Sequence, residues 1–155
     1  MKKVLVLLVA VVALGFASNA QNAIGVRFGG GHGYGAELSY QMGMNSNRLE
    51  LDLGLGLLEN EKNFNLVGIY QWHFNIVDNF GWYVGPGLNL GYCSNHGLNL
   101  SVAGQIGVDY AFKSAPFQVS LDVRPSYMLI KPDHCGWTDE PFNWQNVCLG
   151  VRYTF

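Results

Sequence analysis

From residue 23 to the end of the chain, apolar side chains recur at every second position through eight successive segments, roughly 23 to 30, 33 to 42, 48 to 58, 64 to 76, 80 to 92, 97 to 112, 116 to 130 and 142 to 155. A period of two belongs to the β-strand, whose successive side chains point to opposite faces, and no window after the first twenty residues sustains the 3.6 period of a helix. Leu49, Leu51, Leu53, Leu55 and Leu57 are the clearest run, and Leu98, Leu100, Val102, Ile106, Val108 and Tyr110 repeat the pattern. The opposite parity is Gly, Ser, Asn, Gln and a few charges. All but the first, which has 8 residues, reach the ~9–11 residues that a tilted strand needs to cross a bilayer.

Alternation does not say which face is outside, because a soluble barrel alternates too, with an apolar lumen and a charged exterior. The lysines decide. After residue 20 they are Lys62, Lys113 and Lys131, all at strand ends or in connections. A water-facing strand surface would carry lysines mid-strand. Charged residues are also only 13% of the chain, against about 25% in ordinary soluble proteins. The polar parity is therefore expected to be enclosed and the apolar parity to face lipid. The expected fold is all-β, a closed eight-stranded antiparallel up-and-down transmembrane barrel, the strand number being even as single-chain bacterial outer-membrane barrels require.

Residues 1–20 read differently. Two lysines precede an unbroken apolar run from Val4 to Leu14, and Ser18 and Ala20 stand at the spacing a signal peptidase recognises. The run is shorter than the ~20 residues of a membrane-spanning helix. The expectation is a cleaved signal peptide over 1–20 and a barrel domain over 21–155. Removing Lys2 and Lys3 leaves 7 basic and 11 acidic residues, a net charge of −4, which gives no argument for nucleic acid as a partner or for a cationic membrane anchor.

With the N-terminus in the periplasm, "GMNSN", "VDN" and "KSAP" become periplasmic turns, and "GGHG", "LENEKN", "SNHG" and "KPDHCGWTDEP" outer loops. Tyr40, Trp72, Phe74, Phe80, Trp82, Tyr110, Phe112, Phe117, Tyr153 and Phe155 crowd the periplasmic ends, where a membrane interface favours amphipathic rings. The leader, the eight alternating segments and the terminal "VRYTF" together resemble the small eight-stranded outer-membrane barrels, the family of OmpX and the OmpA transmembrane domain. That resemblance implies a monomer in the outer membrane of a Gram-negative bacterium, with lipid and the barrel-assembly machinery as partners. It also implies that Tyr153 and Phe155 form the C-terminal assembly signal. Gly68, Pro86, Gly104 and Pro125 interrupt the lipid face, and Phe142 and Trp144 have opposite parity to Val147 onward, which calls for a bulge or a later strand start.

A barrel of eight strands is just wide enough for side chains to fill. Arg27, Glu37 and Asp52 fall at nearly one height on adjacent strands, and Asp122 and Arg124 share their inward parity. Buried charges are unfavourable unless paired, so these five are read as an internal ion-pair network, with a narrow pore lined by Arg27 and Arg124 as the alternative. His73 is read as a core residue.

Several loop features bear on chemistry. "YCSNHGLN" partly resembles the His-x-Ser-Asn motif of outer-membrane lipid A deacylases. Ser94 and Asn95 match, but Tyr92 stands where the base belongs and His96 lies on the wrong side of the serine; a serine needs an adjacent base to be a nucleophile. Asp133, His134 and Cys135 form no repeated ligand pair, so no metal site is expected. Cys93, Cys135 and Cys148 allow three pairings; Cys93 with Cys135 is favoured, Cys135 with Cys148 next. The glycines of "RFGGGHGYGAE" lead into no helix, as a phosphate loop must. The expectation is a non-enzymatic barrel without cofactor and with a structural or surface-contact role; the alternatives are a lipid A hydrolase using Ser94 and His96, and a narrow channel.

Overall fold

The computed structural model describes residues 21–29, 35–56, 63–93, 97–130, 142–144 and 146–155. Ten segments build one antiparallel sheet: β1 (Ala23–Gly29), β2 (Ala36–Met44), β3 (Asn47–Gly56), β4 (Asn63–Val77), β5 (Phe80–Cys93), β6 (Gly97–Ala111), β7 (Phe117–Val123), β8 (Ser126–Ile130), β9 (Phe142–Asn143) and β10 (Val147–Thr154). β7 and β8 are two halves of one interrupted strand, and so are β9 and β10, giving eight strands in chain order. Each pairs with its neighbour, and β1 pairs with β10 from Ala23↔Thr154 to Gly29↔Cys148. The sheet therefore closes on itself without an edge, as a strand in lipid requires, since no water is there to satisfy open backbone groups.

Two of the tight connections lie at one end and use residues suited to the left-handed region. Asn45 (φ 59°) and Asp78 (φ 46°) open two-residue turns, where short polar side chains tolerate positive φ better than others. At the same end the last residue is tied down. Asn22 and Phe155 exchange both backbone hydrogen bonds, at 3.0 and 2.9 Å, and the Thr154 amide donates to the Pro116 carbonyl.

The burial pattern is inverted relative to a water-soluble protein. The residues removed from the surface are mostly polar, among them Arg27, Glu50, Asp52, Gln71, Asp122, Arg124 and Arg152, while Leu38, Leu88, Leu98, Ile106, Leu121 and Leu149 stand on the outside. That inversion is favourable only if the outer surface meets hydrocarbon. Aromatic rings gather at the turn end: Phe74 stacks on Trp82 at 4.8 Å, Tyr110 meets Phe112 edge-on at 5.1 Å, and Phe117, Tyr153 and Phe155 contact one another in series. A second set, Phe28, Tyr92, Tyr127 and Phe142, is exposed at the opposite end. The expectation of crowding at one end is therefore only half of the arrangement; the pleat supplies an aromatic at both ends of several strands. From Trp82 to Tyr92 on β5 the chain advances ~33 Å at ~3.3 Å per residue, or ~25 Å along the barrel axis at a tilt near 40°, the height of the apolar band in outer-membrane barrels.

The interruptions of the lipid face fall together. Pro125 separates β7 from β8, and its carbonyl accepts from the Gly104 amide at 2.9 Å, while Gly104 pairs with Pro86 across β5 and β6. In the adjacent strand, residues 144–146 separate β9 from β10, and the Arg124 amide donates to the Asn146 carbonyl at 2.8 Å. This break absorbs the parity switch, because Phe142 and Trp144 as well as Val147 face outward.

Candidate functional site

Because the strands tilt, inward residues from different registers converge on the axis. Arg27 on β1 lies directly across from Glu37 on β2 and donates from Nη1 to Glu37 Oε2 at 2.8 Å and to Asp52 Oδ2 at 3.1 Å; its Nη2 donates to Asp122 on β7. Arg124, just past the end of β7, donates to Glu37 at 3.2 Å and also to Asp52. The five residues singled out in the sequence thus lie in one cluster.

Two members that hold the cluster together were not singled out. Glu50 on β3 is fully buried and is the common acceptor: Gln41, Gln71 and Arg152 converge on Oε2 at 2.6, 2.9 and 3.1 Å, and Gln105 and Arg124 on Oε1 at 3.1 and 3.5 Å. Arg152, one residue before Tyr153, also donates to Ser39 and Ser120. The Tyr83 hydroxyl donates to Asp122 at 3.1 Å, and the ring fits because position 107 is glycine, where a Cβ would come within 2.7 Å of the tyrosine oxygen. Three guanidinium groups therefore meet four carboxylates, all nearly inaccessible to solvent. Each carries charge-assisted bonds that isolated buried charges lack.

Val67, Ile69 and Ala103 pack together as a small apolar cluster in the lumen, Val67 paired across the strands with Asp52 and Ile69 with Glu50. On the turn side lies a second polar layer. Arg48 donates from Nη1 to Asp109 Oδ2 at 2.6 Å, His73 Nε2 is 3.0 Å from Asp109 Oδ1, and Gln118 donates to Asp109 at 2.7 Å. Here the barrel opens into a vestibule of about 890 Å³ lined by residues of every connection at that end.

Cys148 points inward as a free buried thiol and donates to Asn146 Oδ1 at 3.2 Å. The Cys93 side chain, Ser94, His96, Cys135 and residues 1–20 lie outside the described residues, so the deacylase-like motif, the favoured disulfide and the leader have no geometry here.

No protein-family model matches the chain, and no curated protein does. Among solved structures, the fold is similar to that of Neisserial surface protein A, an eight-stranded outer-membrane barrel, with a TM-score of 0.60 at 16% sequence identity over 87% of this chain and 94% of that one. This chain has the outer-membrane barrel fold. At that identity the likeness is one of architecture: an eight-stranded barrel closed between first and last strands. The contents of the lumen have to be read from this barrel's own side chains.

Proposed function

We propose that the protein is an integral outer-membrane barrel, closed to solute flow by its own side chains, which serves the envelope as a non-enzymatic structural or surface-contact protein. The observation that carries this reading is the ion-pair layer: Arg27, Arg124 and Arg152 bridge strands from β1 to β10 through Glu37, Glu50, Asp52 and Asp122 across the middle of the lumen. A guanidinium held by two or three carboxylates from different strands spans the cavity it occupies, and eight strands leave no spare width around it. The apolar exterior and the two aromatic belts support lipid as the medium. The fold shared with Neisserial surface protein A supports the outer membrane as its location.

The test is electrical and chemical. Purified barrel in a planar bilayer should give no steady conductance, and the protein should fractionate with outer membranes and migrate as a compact species on unboiled gels. Lipid A from cells with and without the protein should have the same mass spectrum. A large stable conductance, a soluble periplasmic monomer or a deacylated lipid A would each overturn this reading.

A further inference from the structure

The vestibule at the turn end holds a group that the folded barrel leaves unmatched. Arg48 lines it, and its guanidinium is fixed from two sides: Nη1 is taken by Asp109 at 2.6 Å, and the plane lies over the Tyr83 ring, 5.0 Å from its centroid. The remaining edge, Nε and Nη2, is buried and has no acceptor among the described residues. These two N–H groups run side by side and form the fork that grips both oxygens of a planar oxyanion. An unmatched buried donor is unfavourable, and more so when charged.

A second unmatched atom stands next to it. Gln41 also lines the vestibule, is almost wholly buried, and uses its amide nitrogen on Glu50, while its carbonyl oxygen Oε1 is buried without a donor among the described residues. β2 and β3 pair Gln41 with Glu50 and Gly43 with Arg48, so Gln41 and Arg48 are diagonal neighbours on the inward face, ~7–8 Å apart at the backbone. The site therefore asks for an oxyanion with a hydrogen-bond donor a few bonds away. A doubly charged phosphate is disfavoured, because Asp109 already offsets one positive charge and Glu50 lies immediately above. The volume of about 890 Å³ falls within the ~300–1,000 Å³ of small-ligand sites.

We infer that the vestibule binds a carboxylate carrying a neighbouring N–H, the chemistry of an N-acylated amino acid or of a peptide C-terminus, with the carboxylate on the Arg48 Nε/Nη2 fork and the N–H on Gln41 Oε1. Both atoms are shielded, so binding includes a small rotation of the Arg48 side chain toward the cavity. The inference depends on the outer-membrane reading only for the side of the membrane on which the ligand arrives, the periplasm; binding itself is measured on the isolated barrel.

The experiment uses the refolded barrel in detergent, with ¹⁵N-labelled arginine side chains followed by NMR, titrated with N-acetylglycine, N-acetylglycinamide, inorganic phosphate and a tripeptide with a free C-terminus. Expected is a saturable shift of one Nε resonance with N-acetylglycine, at least tenfold weaker with the amide or with phosphate, and lost in Arg48→Lys, which keeps the charge but not the fork. Circular dichroism and the unboiled-gel shift check that Arg48→Lys folds; if it does not, the acid-against-amide comparison on the wild-type protein decides alone. A tripeptide that binds more tightly than N-acetylglycine assigns the site to a polypeptide end, and weaker binding assigns it to a free small acid. No saturation by ~10 mM, where even a weak complex of about −3 kcal/mol would show, or equal response to acid, amide and phosphate, would overturn the inference. A conducting barrel that still bound N-acetylglycine would sink the closed-barrel function and leave this site standing.

Discussion

Replacing Arg27 with methionine should cost far more stability than replacing Glu37 with glutamine, although the two side chains share one hydrogen bond. The central layer holds three guanidinium groups and four carboxylates. Removing Arg27 leaves two cations facing four carboxylates, and three of those, Glu37, Asp52 and Asp122, lose a direct donor. Breaking a buried pair from one side costs about 3–5 kcal/mol, and here the loss falls on three acceptors, so the upper part of that range is expected. Glu37→Gln instead leaves three cations with three carboxylates. It retains an oxygen to accept from Arg27 and Arg124, so the loss is that of a charge-assisted bond, about 1–2 kcal/mol. The double variant Arg27→Met, Asp122→Leu should recover part of the loss, since a buried pair exchanged for packed apolar groups is often near neutral. Equilibrium urea unfolding in lipid vesicles, followed by tryptophan emission and by the unboiled-gel shift, measures these three variants and Asp122→Leu alone. Equal losses for Arg27→Met and Glu37→Gln, or a double variant as unstable as the sum of its single changes, would refute the charge argument.

Deleting Phe155 should reduce the folded fraction in the outer membrane of cells much more than it slows refolding of the same variant in detergent; equal effects in the two assays would mean that the terminal strand has no recognition role beyond its pairing with Asn22. Leu88, near the middle of β5 and 58% exposed, should lose ~2–4 kcal/mol on replacement by arginine, whereas Leu98 at the loop-side end of β6 should lose ~0–1 kcal/mol; vesicle unfolding of both variants reads the depth of the apolar band. Gly107→Val should drive Tyr83 off Asp122 and cost ~1–3 kcal/mol by overpacking, and Tyr83→Leu in the same chain should restore part of it in the same unfolding assay.

Strand number, face assignment and the Arg27 to Glu37 contact were legible in the sequence because each depends on local parity and on counting across one hairpin. Glu50 and Arg152 carry the same inward parity and are charged, but no count across a hairpin sets them beside Arg27 and Glu37. Their roles arise from tilt, which brings β3 and β10 to the same point on the axis although no hairpin joins them. Arg48 and Gln41 were hidden for a second reason. They sit at the margin of their strands, beside the Asn45 turn, where alternation is already giving way. Val67 and Ile69 escaped because β4 has apolar residues on both parities in Leu66, Val67, Ile69 and Tyr70, so the period that separates lumen from lipid elsewhere is locally silent. The paired irregularities at Pro125 and residues 144–146 were visible only as conflicts of pattern; that they lie side by side on neighbouring strands is a fact of topology.

Those two interruptions divide the wall of the barrel into unequal parts. Below them β7 and β10 match seven residue pairs without a fault, from Val147↔Val123 to Tyr153↔Phe117, and above them, among the described residues, β8 and β9 resume the pairing at Ser126↔Asn143 and Tyr127↔Phe142. Amides flanking a break in a ladder open with less cooperative resistance than those inside it. Deuterium should therefore enter at this break before it reaches the seven matched pairs of β7 and β10, while the closure between β1 and β10 stays protected. The wall is thinnest in backbone bonds at the level where Arg124 reaches across to Glu37 and Asp52, so side chains rivet what the ladder leaves open.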